Sequence, residues 1–495
     1  MLYLKKSISE LLTEAASKAF PVSEIAEVKN LHKKADYLSQ IPSVIYNKHK
    51  KEQHAFGLFN SREIADCIFV NCPKVSWLKQ IQVSGTGDLE IFISEKYMLS
   101  IINNILSSQT LSFISPTSDI IHNFIISNTS NNSEISISCA RGLFIIETLK
   151  NLHKLHRSLA YTYIVAYDFN PNKRTLTQTV SEYITDKLSH NTLKLTEKDK
   201  KKLIMDQNID KINPLIRLIL TSDLYDSKIK YEINQDNIFE IDVKKDIERN
   251  NEKMYSVFQE WPWMKYAMLS LSPIFQKSQV NMFYKYYRRD LSKKLEGFMK
   301  NFDADASKYV NFSSYGDVFF NIGPSHMNDK FYSILKYLEA INTPHIPHCY
   351  NIEYISLASL KYFMLKHSRN TTFAITTQEL MEKSSKSLWA ILAVYKYLKI
   401  NQKPQNFDLE EIQGQVRLIF VHVFSLPDAI EECLHGSSAH FLIEWIENLC
   451  EFYIRADYHI PPETRDKVDW IMKICIEFTL KLVGIDINKI YASNL

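Results

Sequence analysis

The densest set of residues able to hold a polyanion is Phe275-Gln-Lys-Ser-Gln-Val-Asn-Met-Phe-Tyr-Lys-Tyr-Tyr-Arg-Arg-Asp-Leu-Ser-Lys-Lys294. Lys277, Lys285, Arg288, Arg289, Lys293 and Lys294 supply its positive charge. Read as a helix, it places Lys285, Arg288, Arg289 and Lys293 near one face, and Phe283, Tyr286, Tyr287 and Leu291 on another. Arginine forks match phosphate oxygens, and exposed tyrosines stack on unpaired bases. The same spacing also describes an amphipathic helix with buried aromatics and a solvated basic face. A second cationic group, Lys361, Lys366, His367 and Arg369, follows at the start of a helix-rich region. Arg417 and Lys473 add isolated cations to later helices of that region.

Other chemistries find little support. His345-Ile-Pro-His348-Cys349 offers three metal-ligand types, but no second cluster has matching spacing, so no metal is expected. His153 and His156 lie three apart beside Lys154 and Arg157, which reads as a basic helix face. No Ser-His-Asp or Cys-His set can be assembled, and no catalytic residue is assigned. The chain has only 10 glycines and neither GxGxxG nor GxxxxGK[ST]. A backbone cradle for nucleotide phosphates needs glycine for close approach, so kinases, P-loop NTPases and standard dinucleotide enzymes are disfavoured, and no cofactor is expected. Trp261-Pro-Trp263, with Met264 and Tyr266, forms an aromatic cluster suited to local core or to a partner contact.

The elements that must position these residues fall into three regions within 495 residues, enough for two to four domains. Apolar spacing predicts a helix over 4–19, another over 61–69, a β-hairpin over 81–94 around Gly85-Thr-Gly87, and a helix over 95–106, together an α+β domain spanning 1–110. Residues 117–138 are rich in Ser, Asn and Thr and read as loop or weak edge structure. A helix over 139–156, a strand over 161–169, a polar Lys-rich stretch over 170–242, a short β run over 317–322 and a helix over 328–340 make an incomplete α/β region, 111–345. Beyond Pro344 and Pro347, helical spacing over 352–366, 377–400, 408–424, 438–456 and 463–483 predicts a bundle, 346–495, with Gly484 at a C-terminal cap.

Charge divides unevenly. Residues 351–495 carry 15 Lys+Arg against 18 Asp+Glu, a net of −3, which leaves +6 on the rest. An RNA partner would therefore find its phosphate attraction mostly upstream of the bundle. The seven cysteines lack regular spacing and suggest reduced thiols in a cytoplasmic protein, with Cys67 and Cys72 buried. No apolar run is long enough for a transmembrane helix, and no membrane contact is expected.

Three stretches, in order, resemble an arginyl-tRNA synthetase. The hairpin Val83-Ser-Gly-Thr-Gly-Asp-Leu-Glu-Ile-Phe-Ile-Ser94 is similar to the end of that family's N-terminal tRNA-binding domain. Asp317-Val-Phe-Phe-Asn-Ile322, with His326, Phe331 and Leu335, resembles a late strand–helix unit of its nucleotide-binding core. Leu360-Lys-Tyr-Phe-Met-Leu-Lys-His-Ser-Arg-Asn-Thr371 resembles the entrance to its anticodon-binding domain, and the match continues through Leu426-Pro-Asp-Ala429, Phe441–Tyr453 and Leu480–Ile485. The resemblance implies a class I synthetase-like architecture, α/β plus all-α, with an N-terminal α+β domain and a C-terminal anticodon-binding bundle.

The departures concern catalysis. The family's ATP site uses a His-x-Gly-His element whose imidazoles stabilise phosphates. The chain reads Ser115-Pro-Thr-Ser-Asp-Ile-Ile-His-Asn-Phe124 where it is expected, a degenerate counterpart, and the middle region reads as short. Lys383-Ser-Ser-Lys-Ser387 imitates the family's Lys-Met-Ser-Lys-Ser loop but lies inside the bundle, after the segment that the real loop precedes. The resemblance and the losses together match the DALR anticodon-binding domain-containing protein 3 family. It implies a non-catalytic adaptor that recognises arginine tRNAs and presents them to a methyltransferase forming 3-methylcytidine in the anticodon loop. A divergent arginyl-tRNA synthetase and a scaffold without RNA binding are the alternative expectations.

Overall fold

The computed structural model describes residues 3–21, 23–30, 35–49, 60–111, 121–128, 136–155, 158, 160–166, 278–285, 310–320, 331–342, 350–376, 379–380, 386–398 and 404–491. The chain forms two compact units, each discontinuous in sequence. One comprises Met1–Ser115, Glu382–Gly436 and Phe441–Lys481; the other comprises Pro116–Met381, Ser437–His440 and Leu482–Leu495.

The first unit begins with α1 (Leu4–Ala19), which buries Leu4, Ile8, Leu11, Leu12 and Ala15 along one stripe, as its period requires. Strands β1 (Val28–Asn30) and β2 (Tyr37–Ser39), helices α2 (Ile41–Lys48) and α3 (Ser61–Asn71), the hairpin β3 (Leu78–Val83) and β4 (Leu89–Ile93), and α4 (Glu95–Ser108) follow. The sheet is antiparallel in the order β1-β2-β4-β3. Leu89, Ile91 and Ile93 of β4 alternate into the core. Gly87 closes the hairpin at φ +84°, a backbone region that an L side chain enters at a cost.

The second unit is built on a parallel sheet. Its strands are β5 (Ile121–Asn128), β6 (Ala160–Ala166), β7 (Ser278–Lys285) and β8 (Val310–Tyr315), in the order β6-β5-β7-β8. Helix α5 (Ile137–Leu155) connects β5 to β6 and is buried around most of its circumference from Ile137 to Lys150. A two-stranded parallel sheet pairs β9 (Val318–Phe320) with β10 (Phe373–Ile375). Between them lie α6 (Phe331–Asn342) and α7 (Ile352–Lys366), the latter capped by Asn351 Oδ1 accepting from Tyr354 N. The parallel sheet corrects two expectations. Residues 121–128, read as loop or weak edge structure, form a strand paired on both sides. Residues 278–285, read as helix, form β7, so the helical faces inferred there do not exist over that span. Both strands carry Ser, Asn and Gln among their apolar residues, and satisfied ladder hydrogen bonds outweigh that weak local signal.

The chain then returns to the first unit with α8 (Leu388–Tyr397), a 3₁₀ turn at Leu409–Glu411, α9 (Gly414–Phe424), α10 (Leu426–Gly436), α11 (His440–Ala456), a second 3₁₀ turn at Asp457–His459, and α12 (Pro462–Leu482). Ser387, the last residue of the motif-like Lys383–Ser387 run, is the N-cap of α8, its Oγ accepting from Ala390 N. Lys383 lies outside the described residues. The helix expected over 408–424 is divided by the 3₁₀ turn, and α10 was not separately expected. Trp445 Nε1 donates to His422 O at 3.0 Å and to Ser425 Oγ at 3.1 Å, while His422 Nε2 contacts Trp445 O at 3.0 Å, joining α9 to α11. Tyr453 Oη donates to Asp469 Oδ1 at 2.6 Å, joining α11 to α12. Gly484 has φ +74°, the cap geometry expected, and a short α13 (Ile487–Ile490) belongs to the second unit. No helix among the described residues is long and apolar enough to cross a membrane.

Candidate nucleotide and RNA sites

In an open parallel sheet, ligands bind beyond the carboxyl ends of the strands where strand order reverses. Here that point lies between β5 and β7, and the N-terminus of α5, the helix following β5, is the natural anion-binding element. A phosphate site of this type would therefore lie after Asn128, the end of β5. Of Ser115–Phe124, expected to hold the degenerate phosphate element, Ile121–Phe124 opens β5 and residues 115–120 lie outside the described residues. His122 stacks on His153 of α5, ring centroids 3.6 Å apart.

The α5 N-terminus is bound up with the protein's own groups. Ser136 Oγ accepts from Cys139 N at 3.1 Å, an N-cap bond. Ser138 Oγ accepts from Val318 N at 3.0 Å and donates to Val318 O at 3.4 Å, tying the helix to β9. Arg141 is fully buried and donates to four carbonyls: Gly316 O at 3.0 Å, Thr371 O at 2.6 Å, His367 O at 3.3 Å and Ser368 O at 2.7 Å. Two of these lie just beyond the end of α7, where orphan carbonyls and the helix dipole favour a cation. The guanidinium also sits over the Phe373 ring, 4.7 Å from its centroid. Burial lowers the Arg141 pKa to about 9, Asp317 and Tyr315 acting in the opposite sense, so the group stays charged at neutral pH. Gly316 completes the joint: its N–H donates to Arg369 O at 2.8 Å, and a Cβ there would collide with the Thr371 backbone.

Six residues further along α5, Glu147 meets Lys361 of α7 in a buried ion pair. Lys361 Nζ also donates to Gly484 O at 2.9 Å and lies 5.3 Å from the Phe144 ring centroid. Burial raises the Glu147 pKa to about 7, against the attraction of Lys361. It lowers Lys361, against the attraction of Glu147. Asn151 Nδ2 donates to Leu482 O at 3.0 Å, so α5 also anchors the chain around its Gly484 cap.

These contacts revise the cationic candidates. Lys361 is 1 % exposed and committed to Glu147 and Gly484, so it is a structural cation and not an RNA contact. Lys366 and Arg369 are half-buried; the Arg369 backbone N donates to Ser438 Oγ at 3.1 Å. His367 stacks on Phe373 at 4.1 Å, and burial, with Arg141 and Lys366 nearby, lowers its pKa to about 4, leaving it neutral at physiological pH. Lys285 ends β7, at the carboxyl edge of the sheet. Lys277, Arg288, Arg289, Lys293 and Lys294 lie outside the described residues, as do Trp261, Trp263, His156, His345, His348 and Cys349.

In the first unit, Arg417 holds Asp36 through two bonds of 2.5 and 2.7 Å and lies 3.8 Å from Glu95, a joint between α9 and the N-terminal sheet. Lys473 Nζ lies 5.7 Å from the Tyr395 ring centroid. Cys67 and Cys72 are half-buried where burial was expected, and desolvation raises Cys72 to about 11. Sequence reasoning missed the aromatic surface at the ends of α8 and α11. There Tyr397 is 53 % exposed, Ile454 60 % and Tyr458 93 %. Periodicity over 377–400 and 438–456 does not separate Tyr397 and Ile454 from core residues, and Tyr458 falls between the expected helices.

Among solved structures, the chain is similar to the arginyl-tRNA synthetase of Plasmodium falciparum, with a TM-score of 0.64 at 13% identity, covering 98% of this chain and 99% of that one. It is likewise similar to the Thermus thermophilus arginyl-tRNA synthetase, with a TM-score of 0.62 at 12% identity, covering 98% of this chain and 100% of that one. No protein-family model and no curated protein matches the sequence. The chain has the arginyl-tRNA synthetase fold, a class I synthetase architecture of mixed α/β and helical regions.

Proposed function

We propose that this chain is a non-catalytic tRNA-binding adaptor built on the arginyl-tRNA synthetase fold. The observation that carries the reading is the use of the α5 N-terminus as a structural joint. Where a doubly wound sheet would present N–H groups to phosphate, Ser136 caps the helix, Ser138 bonds Val318, and Arg141 is spent on four carbonyls. Ser136-Ile137-Ser138-Cys139 contains no imidazole that could stabilise a developing adenylate. A fold kept nearly entire, with that edge turned inward, fits retention of the RNA-binding surfaces without the chemistry.

The finer reading follows the sequence resemblance to the DALR anticodon-binding domain-containing protein 3 family. The chain recognises arginine tRNAs and presents them to a methyltransferase that forms 3-methylcytidine in the anticodon loop. Basic residues upstream of residue 351 supply phosphate attraction, and the net-negative helical region relies on shape and stacking. Weak modules on one chain reinforce one another by raising the effective concentration of the next contact. A mobility-shift titration of the full chain with arginine tRNAs and a non-cognate tRNA tests this. Tighter binding of an arginine tRNA is expected; equal binding of all, or of none, would reject the adaptor reading.

A further inference from the structure

The most exposed large aromatic among the described residues, Tyr458, serves no packing role that explains its position. It is the middle residue of the 3₁₀ turn Asp457–His459, between α11 and α12. The turn is braced at Asp457. Ile460 is buried and its N–H donates to Asp457 O at 3.3 Å. Arg465 Nη2 donates to the same carbonyl at 2.5 Å, and its guanidinium lies 3.4 Å from Asp457 Oδ1. Tyr397 Oη donates to Asp457 Oδ2 at 3.2 Å from the end of α8. Pro461 and Pro462 then fix the entry to α12. A fixed backbone thus holds out a ring that is 93 % exposed, with the His459 ring 6.4 Å away and nearly perpendicular to it.

We infer that Tyr458 is a stacking platform for an unpaired nucleobase of a bound RNA, with exposed Tyr397, bonded to the adjoining Asp457, and exposed Ile454 in the same unit. The inference rests on the tRNA-binding reading and names a recognition element for it. A tyrosine on a braced turn loses little conformational freedom when a flat ligand covers it, and every base offers a π face. A protein partner fits less well. Hot spots for proteins sit at the centre of a continuous desolvated patch, whereas Tyr458 is flanked in its turn by the polar Asp457 and His459, and Glu463 and Asp466 at the start of α12 are exposed. The local charge is mixed: Arg455 pairs with Glu451, Arg465 with Asp457, and Lys396, Glu463 and Asp466 are exposed. The site therefore contributes stacking and little phosphate attraction, as a net-negative helical region requires.

The test uses the full chain, an RNA hairpin with an anticodon-sized loop, and a blunt duplex of the same stem. Tyr458→Ala should weaken hairpin binding about 5- to 150-fold, the range one stacked base supplies. It should leave the slope of log K against log salt and the duplex affinity unchanged. Tyr458→Phe and Tyr458→Trp should retain hairpin binding, and the thermal midpoint should not move. Wild-type hairpin affinity in Tyr458→Ala overturns this inference alone. A wild-type chain that binds neither the hairpin nor any tRNA overturns the inference and the tRNA-binding reading together.

Discussion

Replacing Lys361 by methionine should unfold the protein more readily without touching its RNA surface. The substitution keeps length and apolar bulk but leaves Glu147 without its cation and Gly484 O without its donor. Removing one partner of a buried pair costs about 3–5 kcal/mol, because the remaining charge is stranded in a low-dielectric site. Adding Glu147→Leu should recover most of that loss, since apolar replacement of both partners is commonly neutral or stabilising. The pH dependence has a definite sign. Glu147 has a folded pKa raised to about 7, above its usual value of 4.5, so its favourable contribution is complete below 4.5 and fades as pH rises through 7. Without Lys361 that pKa rises further, so the deficit of Lys361→Met should be small at acid pH and full above neutrality. Urea denaturation at both pH values, with a double-mutant cycle, measures these quantities. A Lys361→Met variant of unchanged stability but weakened RNA binding would refute the structural role assigned to Lys361.

Two further perturbations probe the same framework. Arg141→Ala strands buried carbonyls at Gly316, His367, Ser368 and Thr371 and should cost about 3 kcal/mol or more, read as a lowered denaturation midpoint, with Arg141→Lys recovering only part. Asp428, buried at the start of α10 and accepting from Lys5 N, has its pKa raised to about 7 by desolvation, so the stability it contributes is present below about 3.8 and lost as pH rises through 7. Asp428→Asn should therefore stabilise the protein by about 1–3 kcal/mol at pH 8 and leave it nearly unchanged at acid pH, in thermal melts.

The helices announced themselves because one-sided burial at period 3.6 is a local property. The stripes of α1 and α11, and the cap at Gly484, are legible from neighbours in sequence. The central strands β5 and β7 are not, because parallel partners far along the chain satisfy their backbones and local polarity is a poor guide. Lys361 shows the same limit at a single residue. Its charge pattern matched an exposed phosphate contact, but its partner Glu147 lies 214 positions away. Arg141 was invisible for a related reason, since its carbonyl acceptors come from two distant turns. Tyr458 illustrates the converse: it falls between the helices expected over 438–456 and 463–483, and the degree of its exposure is a tertiary fact that its residue type does not reveal.

The most direct test is to incubate the purified full chain with total tRNA, ATP and arginine, recover the RNA that co-elutes with it, and read its identity and the state of its 3′ end. The account expects arginine tRNAs to be enriched and to remain uncharged. Arginylated tRNA formed by the chain, or bound tRNA without enrichment for arginine acceptors, would contradict it.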